Sequence, residues 1–240
     1  MSILKYISIA DFITVLNALI GFLAIMYVID ELFVNALILI LFAIILDGLD
    51  GLVARLVRTK HTFGIFLDAI ADTVSFCFAP AVLLYGIYYN PGETSFTSWV
   101  NLLTVLATFF VVGFGILRLA RFITQQNKIE YFIGLPSPAI ALFVVILLLP
   151  LFNLNHYPEI VLPIIILTSI LMISDVHYPK FKSKITILTG VLVGLVILSL
   201  FMPFKYYEFV HLITLALIIT YIFIIPFFIP QGNTSEKQIG

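Results

Sequence analysis

Residues 32–56 read LFVNALILILFAIILDGLDGLVARL. Ala36 to Leu46 form an unbroken apolar run, and two aspartates and an arginine follow it. An apolar segment of about 20 residues is long enough to cross a bilayer as a helix. A carboxylate inside such a segment is costly, so its presence indicates a functional site. The stretch therefore predicts a membrane helix that carries acidic groups close to one membrane surface.

The whole chain has the composition of this stretch. Of its 240 residues, 62% are hydrophobic and 10% are charged, and the mean hydropathy is +1.19. Soluble domains are about 45–50% apolar and about 25% charged. The composition therefore excludes a soluble enzyme, a disordered chain and a nucleic-acid binder with a basic face, and no nucleic-acid partner is expected.

The apolar runs predict an all-α, polytopic membrane protein with about eight transmembrane helices. Residues 1–230 are expected to form one transmembrane domain, and residues 231–240 to form a polar, disordered tail. Pro163 is expected in the first turn of the sixth span. The eight predicted spans are residues 9–29, 32–56, 64–89, 98–123, 136–152, 160–173, 185–202 and 209–229.

The basic residues predict the orientation of these spans. With eight spans, Lys205 lies on one side of the membrane and the other basic residues lie on the opposite side. Because cytoplasmic loops carry the excess of Lys and Arg, we expect both termini to be cytoplasmic in an integral protein of the cytoplasmic membrane. The residues on the cytoplasmic side are Lys5, Arg55, Arg58, Lys60, Arg118, Arg121, Lys128, Lys180, Lys182, Lys184 and Lys237.

Four aspartates lie at the predicted cytoplasmic ends of spans two and three. Asp47 and Asp50 are three residues apart and Asp68 and Asp72 are four apart, so each pair shares one helix face. The short connection makes the two helices antiparallel neighbours, and the four carboxylates can converge. Mg²⁺ or Mn²⁺, with Ca²⁺ as an alternative, would neutralise them. Four such ligands suit two divalent ions about 3.5–4 Å apart, as in phosphoryl displacement. Helix capping or surface ion pairing explains one such residue better than four.

Small residues and an arginine share the surface of the acidic residues. Gly51, Ala54 and Gly64 would let a ligand approach the helix backbone closely. Arg55 has the planar fork of donors that suits a phosphate. A phosphate-bearing ligand is therefore expected beside the carboxylates.

Residues 47–72 read DGLDGLVARLVRTKHTFGIFLDAIAD and resemble the signature of the CDP-alcohol phosphotransferase family, D-x2-D-G-x2-A-R-x8-G-x3-D-x3-D. The resemblance implies a phospholipid-synthesising membrane enzyme in which an alcohol attacks a CDP-linked lipid and CMP leaves. It implies that the four aspartates hold two divalent ions, that Asp72 is also the candidate general base, and that the other signature residues contact nucleotide or phosphate. The fixed positions are Asp47, Asp50, Gly51, Ala54, Arg55, Gly64, Asp68 and Asp72.

The first span carries a weaker match to the same family. Thr14, Asn17 and Gly21 fit the pattern PN-x2-T-x2-N-x3-G, whereas Asp11 stands where Asn is usual. Thr14 and Asn17 could reach the nucleotide. Small and polar residues also serve helix–helix packing in membranes, and both interpretations stay open.

Three further segments resemble the phosphatidylserine synthase branch of that family: RLARF at 118–122, FIGLPSPAIA at 132–141 and LMISDVHYPKFK at 171–182. Ile123, Ile140 and Asp175 depart from the branch pattern. The resemblance implies CDP-diacylglycerol or CDP-archaeol as the donor and L-serine as the acceptor, with phosphatidylserine and CMP as products. It also implies a homodimer surrounded by membrane lipids.

The acceptor is the least determined part of this prediction. Arg118 and Arg121 are one helical turn apart and could hold the serine carboxylate or lipid phosphates. Alternatively, they are a snorkelling pair at the membrane surface. Glycerol phosphate, inositol phosphate or inositol could replace serine in the same chemistry, and a cation transporter is the alternative from another class.

Overall fold

The computed structural model describes residues 8–57, 62–92, 98–125, 131–149, 157–179, 183–201 and 204–228. These residues form a helical bundle with one two-stranded antiparallel ladder. The α-helices are α1 (Ile9–Ile29), α2 (Phe33–Val57), α3 (Thr62–Asp72), α4 (Ala79–Tyr88), α5 (Trp99–Gln125), α6 (Ser137–Leu148), α7 (Pro158–Ile173), α8 (Ser183–Ser199) and α9 (Phe204–Ile219).

Helix α1 begins with a capping box. The Ser8 hydroxyl accepts a hydrogen bond from the Asp11 backbone N–H at 3.2 Å, and the Asp11 carboxylate accepts one from the Ser8 N–H at 2.7 Å. These bonds satisfy backbone donors that the first turn of a helix leaves without partners. One face of α1 is buried and consists mostly of small or polar residues, and α1 packs against α2, α3 and α4. That face consists of Ala10, Asp11, Thr14, Asn17, Gly21, Ala24 and Val28.

Helices α3 and α4 belong to one continuous apolar helix, Thr62–Tyr88. Residues Thr73–Phe78 between them form a π-helix, in which the Ala79 N–H donates to the Val74 carbonyl. Pro80 has no N–H to donate, so the hydrogen-bond pattern widens before it. A second π-helix, Thr220–Ile224, continues α9 and leads into the 3-10 helix Ile225–Phe228, which contains Pro226.

The two short strands join parts of the chain that are far apart in sequence. Strand β1 (Tyr131–Ile133) precedes α6, and β2 (His177–Pro179) follows α7. They pair antiparallel, with Phe132 opposite Tyr178. The prediction of an all-α protein omitted this ladder, because three-residue strands are too short to show an alternating pattern.

Within the described residues, five helices are long and apolar enough to cross a membrane: Ile9–Ile29, Phe33–Arg55, Thr62–Tyr88, Trp99–Thr124 and Glu208–Phe228. The part of the chain that the structure describes also has shorter apolar helices at Ser137–Leu148, Pro158–Ile173 and Thr189–Ser199. The chain is therefore an integral membrane protein. The count of eight spans and the single domain over residues 1–230 stay predictions, and the tail at 231–240 lies outside the described residues.

Most helix bounds follow the predicted spans, with two corrections. The last span was predicted to begin at residue 209, whereas α9 begins at Phe204. Helix α1 has the predicted bounds of residues 9–29, and the starts of α2, α3 and α5 lie within two residues of the predicted ones. Pro163 was expected in the first turn of its span but lies inside α7. The helix begins at Pro158, because a proline there needs no hydrogen-bond partner for its nitrogen.

Candidate active site

The structure brings the carboxylates of α2 and α3 together. Asp47, Asp50 and Asp68 each offer one oxygen, and these oxygens lie within 4.8 Å of one another. Asp72 follows one helical turn after Asp68 and is buried. Its Oδ1 is buried without a hydrogen-bond partner among the described residues. Helical spacing of three and four thus brings three of the four carboxylates together, and the fourth, Asp72, lies one helical turn from Asp68.

Helix α1 lies beside the acidic cluster and contributes a donor to it. The Thr14 hydroxyl donates to Asp50 Oδ2 at 2.8 Å. One turn further along α1, Asn17 is fully buried, and its side-chain nitrogen and oxygen have no hydrogen-bond partners among the described residues. Thr14 therefore meets the site directly, while Asn17 offers a buried amide one turn deeper.

Gly21 serves helix packing. A Cβ at this glycine would overlap Ser75 of the π-helix. The Ser75 hydroxyl donates to the backbone carbonyl of Asn17 at 2.9 Å. Within the span-one pattern, packing thus accounts for Gly21, whereas Thr14 contacts a site carboxylate.

Among the small signature residues, Gly51 borders open space on α2. A Cβ at Gly51 would meet no atom within 4 Å, so packing does not require glycine there. Ala54 and Gly64 are partly buried. Arg55 is exposed, and its Nε donates to the Gly51 carbonyl at 2.8 Å. The open surface at Gly51 and the adjacent arginine are consistent with an anionic ligand lying along this turn of α2.

Arg118 of α5 faces the acidic residues from the other side. Its side chain is buried, and it interacts electrostatically with Asp47, Asp68 and Asp72. Its Nη1 donates to the Ser137 hydroxyl at 3.1 Å. This is the one hydrogen bond of the five-donor guanidinium to a described residue.

Aromatic rings fix the Arg118 guanidinium in place. The Phe122 and Phe132 ring centroids lie 5.3 and 5.8 Å from its central carbon, within the range of cation–π interaction. The rings thus hold the guanidinium while most of its donors have no hydrogen-bond partner among the described residues.

Arg121 has different surroundings. Its guanidinium donates to the backbone carbonyls of Ile133, Met172, Ile173 and Ser174 at 2.9–3.3 Å. It also pairs with the carboxylate of Asp175 at 3.3 Å, although the Asp175 side chain is 99% exposed. The expected role of Arg121 in binding serine or lipid phosphate stays a prediction, and protein acceptors already occupy this guanidinium.

The acidic residues fit a divalent-cation site. Three carboxylate oxygens lie within 4.8 Å of one another, and Asp72 Oδ1 adds a buried acceptor without a partner among the described residues. Hard oxygen donors of this kind suit Mg²⁺, Mn²⁺ or Ca²⁺. The structure therefore supports a cation site at Asp47, Asp50 and Asp68, with Asp72 next to it.

The acidic cluster lies within the part of the chain that matches a known protein family. The family model described as CDP-alcohol phosphatidyltransferase matches residues 7–176. The chain belongs to this family. The match includes the whole acidic cluster, α1 and Arg118, so the family resemblance is confirmed.

Individual relatives are similar over about two thirds of the chain or more. A CDP-diacylglycerol–serine O-phosphatidyltransferase of Methanocaldococcus jannaschii is 42% identical over 73% of this chain and 75% of its own length. One from Helicobacter pylori is 37% identical over 68% of each chain. An archaetidylserine synthase of Methanothermobacter thermautotrophicus is 33% identical over 72% of this chain and 70% of its own length.

Sequence reasoning missed two neighbours of Arg118. Ser137 and Phe132 contact its guanidinium, and both lie in the FIGLPSPAIA segment that resembles the branch pattern. A buried arginine needs acceptors and ring faces near it, so the serine between two prolines was a usable signal.

Proposed function

We propose that this chain transfers the lipid phosphatidyl group of CDP-diacylglycerol or CDP-archaeol to the hydroxyl of L-serine, releasing CMP. The observation that carries the proposal is the buried acidic cluster of α2 and α3 facing Arg118, within a chain that matches the family over residues 7–176. Serine as acceptor is supported by relatives of 33–42% identity that are named as serine or archaetidylserine enzymes.

The donor would lie along α2 beside the acidic residues. Divalent cations held by Asp47, Asp50, Asp68 and Asp72 would neutralise the phosphates and polarise the bond to the leaving CMP. Gly51 and Ala54 leave room for the nucleotide, with Asp50, Gly64, Thr14 and Asn17 around it. Arg55, on the exposed side of the same turn, would hold a phosphate oxygen.

The acceptor would lie between Asp72 and Arg118. Arg118 binds the serine carboxylate with donors that Ser137 does not use, and orients the hydroxyl toward the donor. Asp72 Oδ1 accepts the hydroxyl proton as the serine oxygen attacks the phosphorus next to the lipid. The bond from this phosphorus to the CMP oxygen breaks, and CMP leaves with the electron pair of that bond. Arg118 then serves both to position the acceptor and to balance the buried negative charge.

The orientation follows from the charge distribution. We infer that the site opens to the cytoplasm and that both termini lie there, since Lys and Arg concentrate at that end of the predicted spans. Serine and CMP would exchange with the cytosol, and the lipid tails would enter sideways from the cytoplasmic membrane. The eight-span topology and a homodimer belong to this proposal as family expectations.

The test is CMP release by purified protein with CDP-diacylglycerol or CDP-archaeol and Mg²⁺ or Mn²⁺, with and without L-serine. Serine-dependent release that a chelator and Asp72→Asn abolish supports the proposal. Release that responds instead to glycerol phosphate, inositol phosphate or inositol would retain the family chemistry and refute serine as acceptor. No release from folded protein with either donor would refute the transferase assignment.

A further inference from the structure

Three parts of the chain meet at the Arg121 side chain. Arg121 extends from the last turns of α5 and donates to the Ile133 carbonyl of β1 at 3.0 Å. It also donates to the Met172 and Ser174 carbonyls at the end of α7 at 3.2 and 2.9 Å. The last carbonyls of a helix have no partners within that helix, and a cation there also balances the helix dipole. Arg121 therefore caps α7 and ties it to α5 and β1.

Gly134 completes this junction. Its φ of +78° is in the left-handed region that favours glycine. A Cβ there would overlap the Met172 carbonyl oxygen and lie 2.6 Å from Arg121 Nη2. The backbone on both sides is fixed, because the Gly134 N–H donates to the Val176 carbonyl at 2.8 Å and the Leu135 N–H donates to the Leu171 carbonyl at 3.0 Å.

The junction holds the two groups that surround Arg118. Phe132 of β1, whose ring lies beside the Arg118 guanidinium, comes two residues before Gly134. Ser137, which accepts from Arg118, comes three residues after it and is fully buried. Because Gly134 and Arg121 fix the segment between these contacts, they determine where the Arg118 guanidinium lies relative to Asp72.

We propose that this junction positions Arg118 for the acceptor. We call it the latch and define it as Arg121, Gly134 and the carbonyls of Met172, Ile173 and Ser174. This inference rests on the proposed function, since it takes Arg118 to bind the serine carboxylate. Arg121 acts in it as a positioning residue and makes no contact with substrate.

The first test uses a latch residue that has no side chain to offer a ligand. Gly134→Ala should raise the KM for L-serine about tenfold, while the KM for the CDP-lipid changes less than about threefold. Arg121→Lys should do the same, because an ammonium lacks the planar fork of donors with which a guanidinium reaches several carbonyls. Asp175→Asn is the matched control and should behave as wild type, since the Asp175 side chain is itself 99% exposed. An unchanged serine KM in Gly134→Ala beside a raised one in Arg121→Lys would overturn the latch in favour of direct binding by Arg121.

A double variant separates positioning from direct contact. If Arg121 acts through Arg118, Arg118→Lys combined with Arg121→Lys should raise the serine KM no more than Arg118→Lys alone. If the KM increases of the two single variants multiplied in the double variant, each arginine would contact the acceptor independently, and this would overturn the proposal.

Hydrogen exchange tests the latch without substrate. In Arg121→Lys, the amides of residues 133–135 should exchange faster than in wild type, while amides in α1 keep their wild-type rates. Unchanged exchange at residues 133–135 would overturn the latch. Because this test uses Arg121→Lys, it also applies if Gly134→Ala yields no folded protein. If wild-type protein shows no serine-dependent CMP release, the proposed function fails, and faster exchange at 133–135 then supports the latch apart from serine binding.

Discussion

The two sides of the site differ in how completely their polar groups are paired. On the acidic side, Asp72 Oδ1 and the Asn17 amide are buried without hydrogen-bond partners among the described residues. On the basic side, Arg121 and Ser137 are paired with acceptors and donors from the protein itself. Buried polar groups are normally paired, so the acidic side needs ligands to be complete. The basic side, in contrast, already has partners for its polar groups within the protein, and Arg118 lies at its edge.

The largest effect is expected from the acidic side. Asp68→Asn should lower kcat by about 1000-fold or more and weaken Mn²⁺ activation, because it removes a charged oxygen ligand from a group that acts as a unit. CMP release measured across a Mn²⁺ titration checks this. Asp175→Asn makes the same chemical change at an exposed side chain of the basic side and should retain activity. Equal activity of the two variants at saturating Mn²⁺ would contradict the contrast between the sides.

The next effect is expected at the edge of the basic side. Arg118→Lys keeps the charge but loses the planar fork, so the KM for L-serine should rise about 30-fold with a smaller change in the KM for the CDP-lipid. Initial rates over a serine titration give the value. A rise confined to the CDP-lipid KM would move Arg118 from the acceptor to the donor phosphates.

A smaller effect is expected where α1 meets the cluster. Thr14→Val removes the hydroxyl that donates to Asp50 Oδ2, so half-maximal activation should need about five- to tenfold more Mn²⁺. Thr168→Val is the matched control, because the Thr168 hydroxyl bonds to carbonyls of its own helix. An identical Mn²⁺ response in both variants would show that the Thr14 contact does not tune the site.

The smallest effect is expected at the back of the basic side. The fully buried Tyr178 hydroxyl donates to the Ile222 carbonyl of the second π-helix at 3.2 Å, and burial raises the pKa of Tyr178 to about 12. It stays protonated at neutral pH and keeps its donor. Tyr178→Phe should cost about 1 kcal/mol of stability and leave the serine KM unchanged. Thermal unfolding in detergent measures the loss, and a raised serine KM would extend the active site to this tyrosine.

The acidic side could be predicted from local spacing. Asp47 with Asp50 and Asp68 with Asp72 are separated by whole helical turns, so knowing that the segments are helices was enough to put the pairs on one face. The close match of α1 to its predicted bounds follows in the same way from a long, uninterrupted apolar run.

The basic side could not be predicted, because its contacts join distant residues. Arg121 meets carbonyls about fifty residues away in sequence, and no periodic pattern records such a meeting. The β1–β2 ladder is also set by tertiary packing, since three-residue strands carry almost no propensity signal of their own. The result is that Arg118 and Arg121, which look equivalent as RLAR, have separate surroundings.

Helix α6 leads from the basic side into the interior of the protein, and eleven of its twelve residues are buried. At about 1.5 Å per residue it measures about 18 Å, much less than the roughly 30 Å of a bilayer core. Such a short segment gains little free energy by entering the lipid without neighbouring helices. We therefore expect α6 to pack against neighbouring helices that are already in the membrane, so that the residues around Arg118 assemble after the acidic helices. An assembly intermediate would then hold the cation ligands before it could recognise an acceptor.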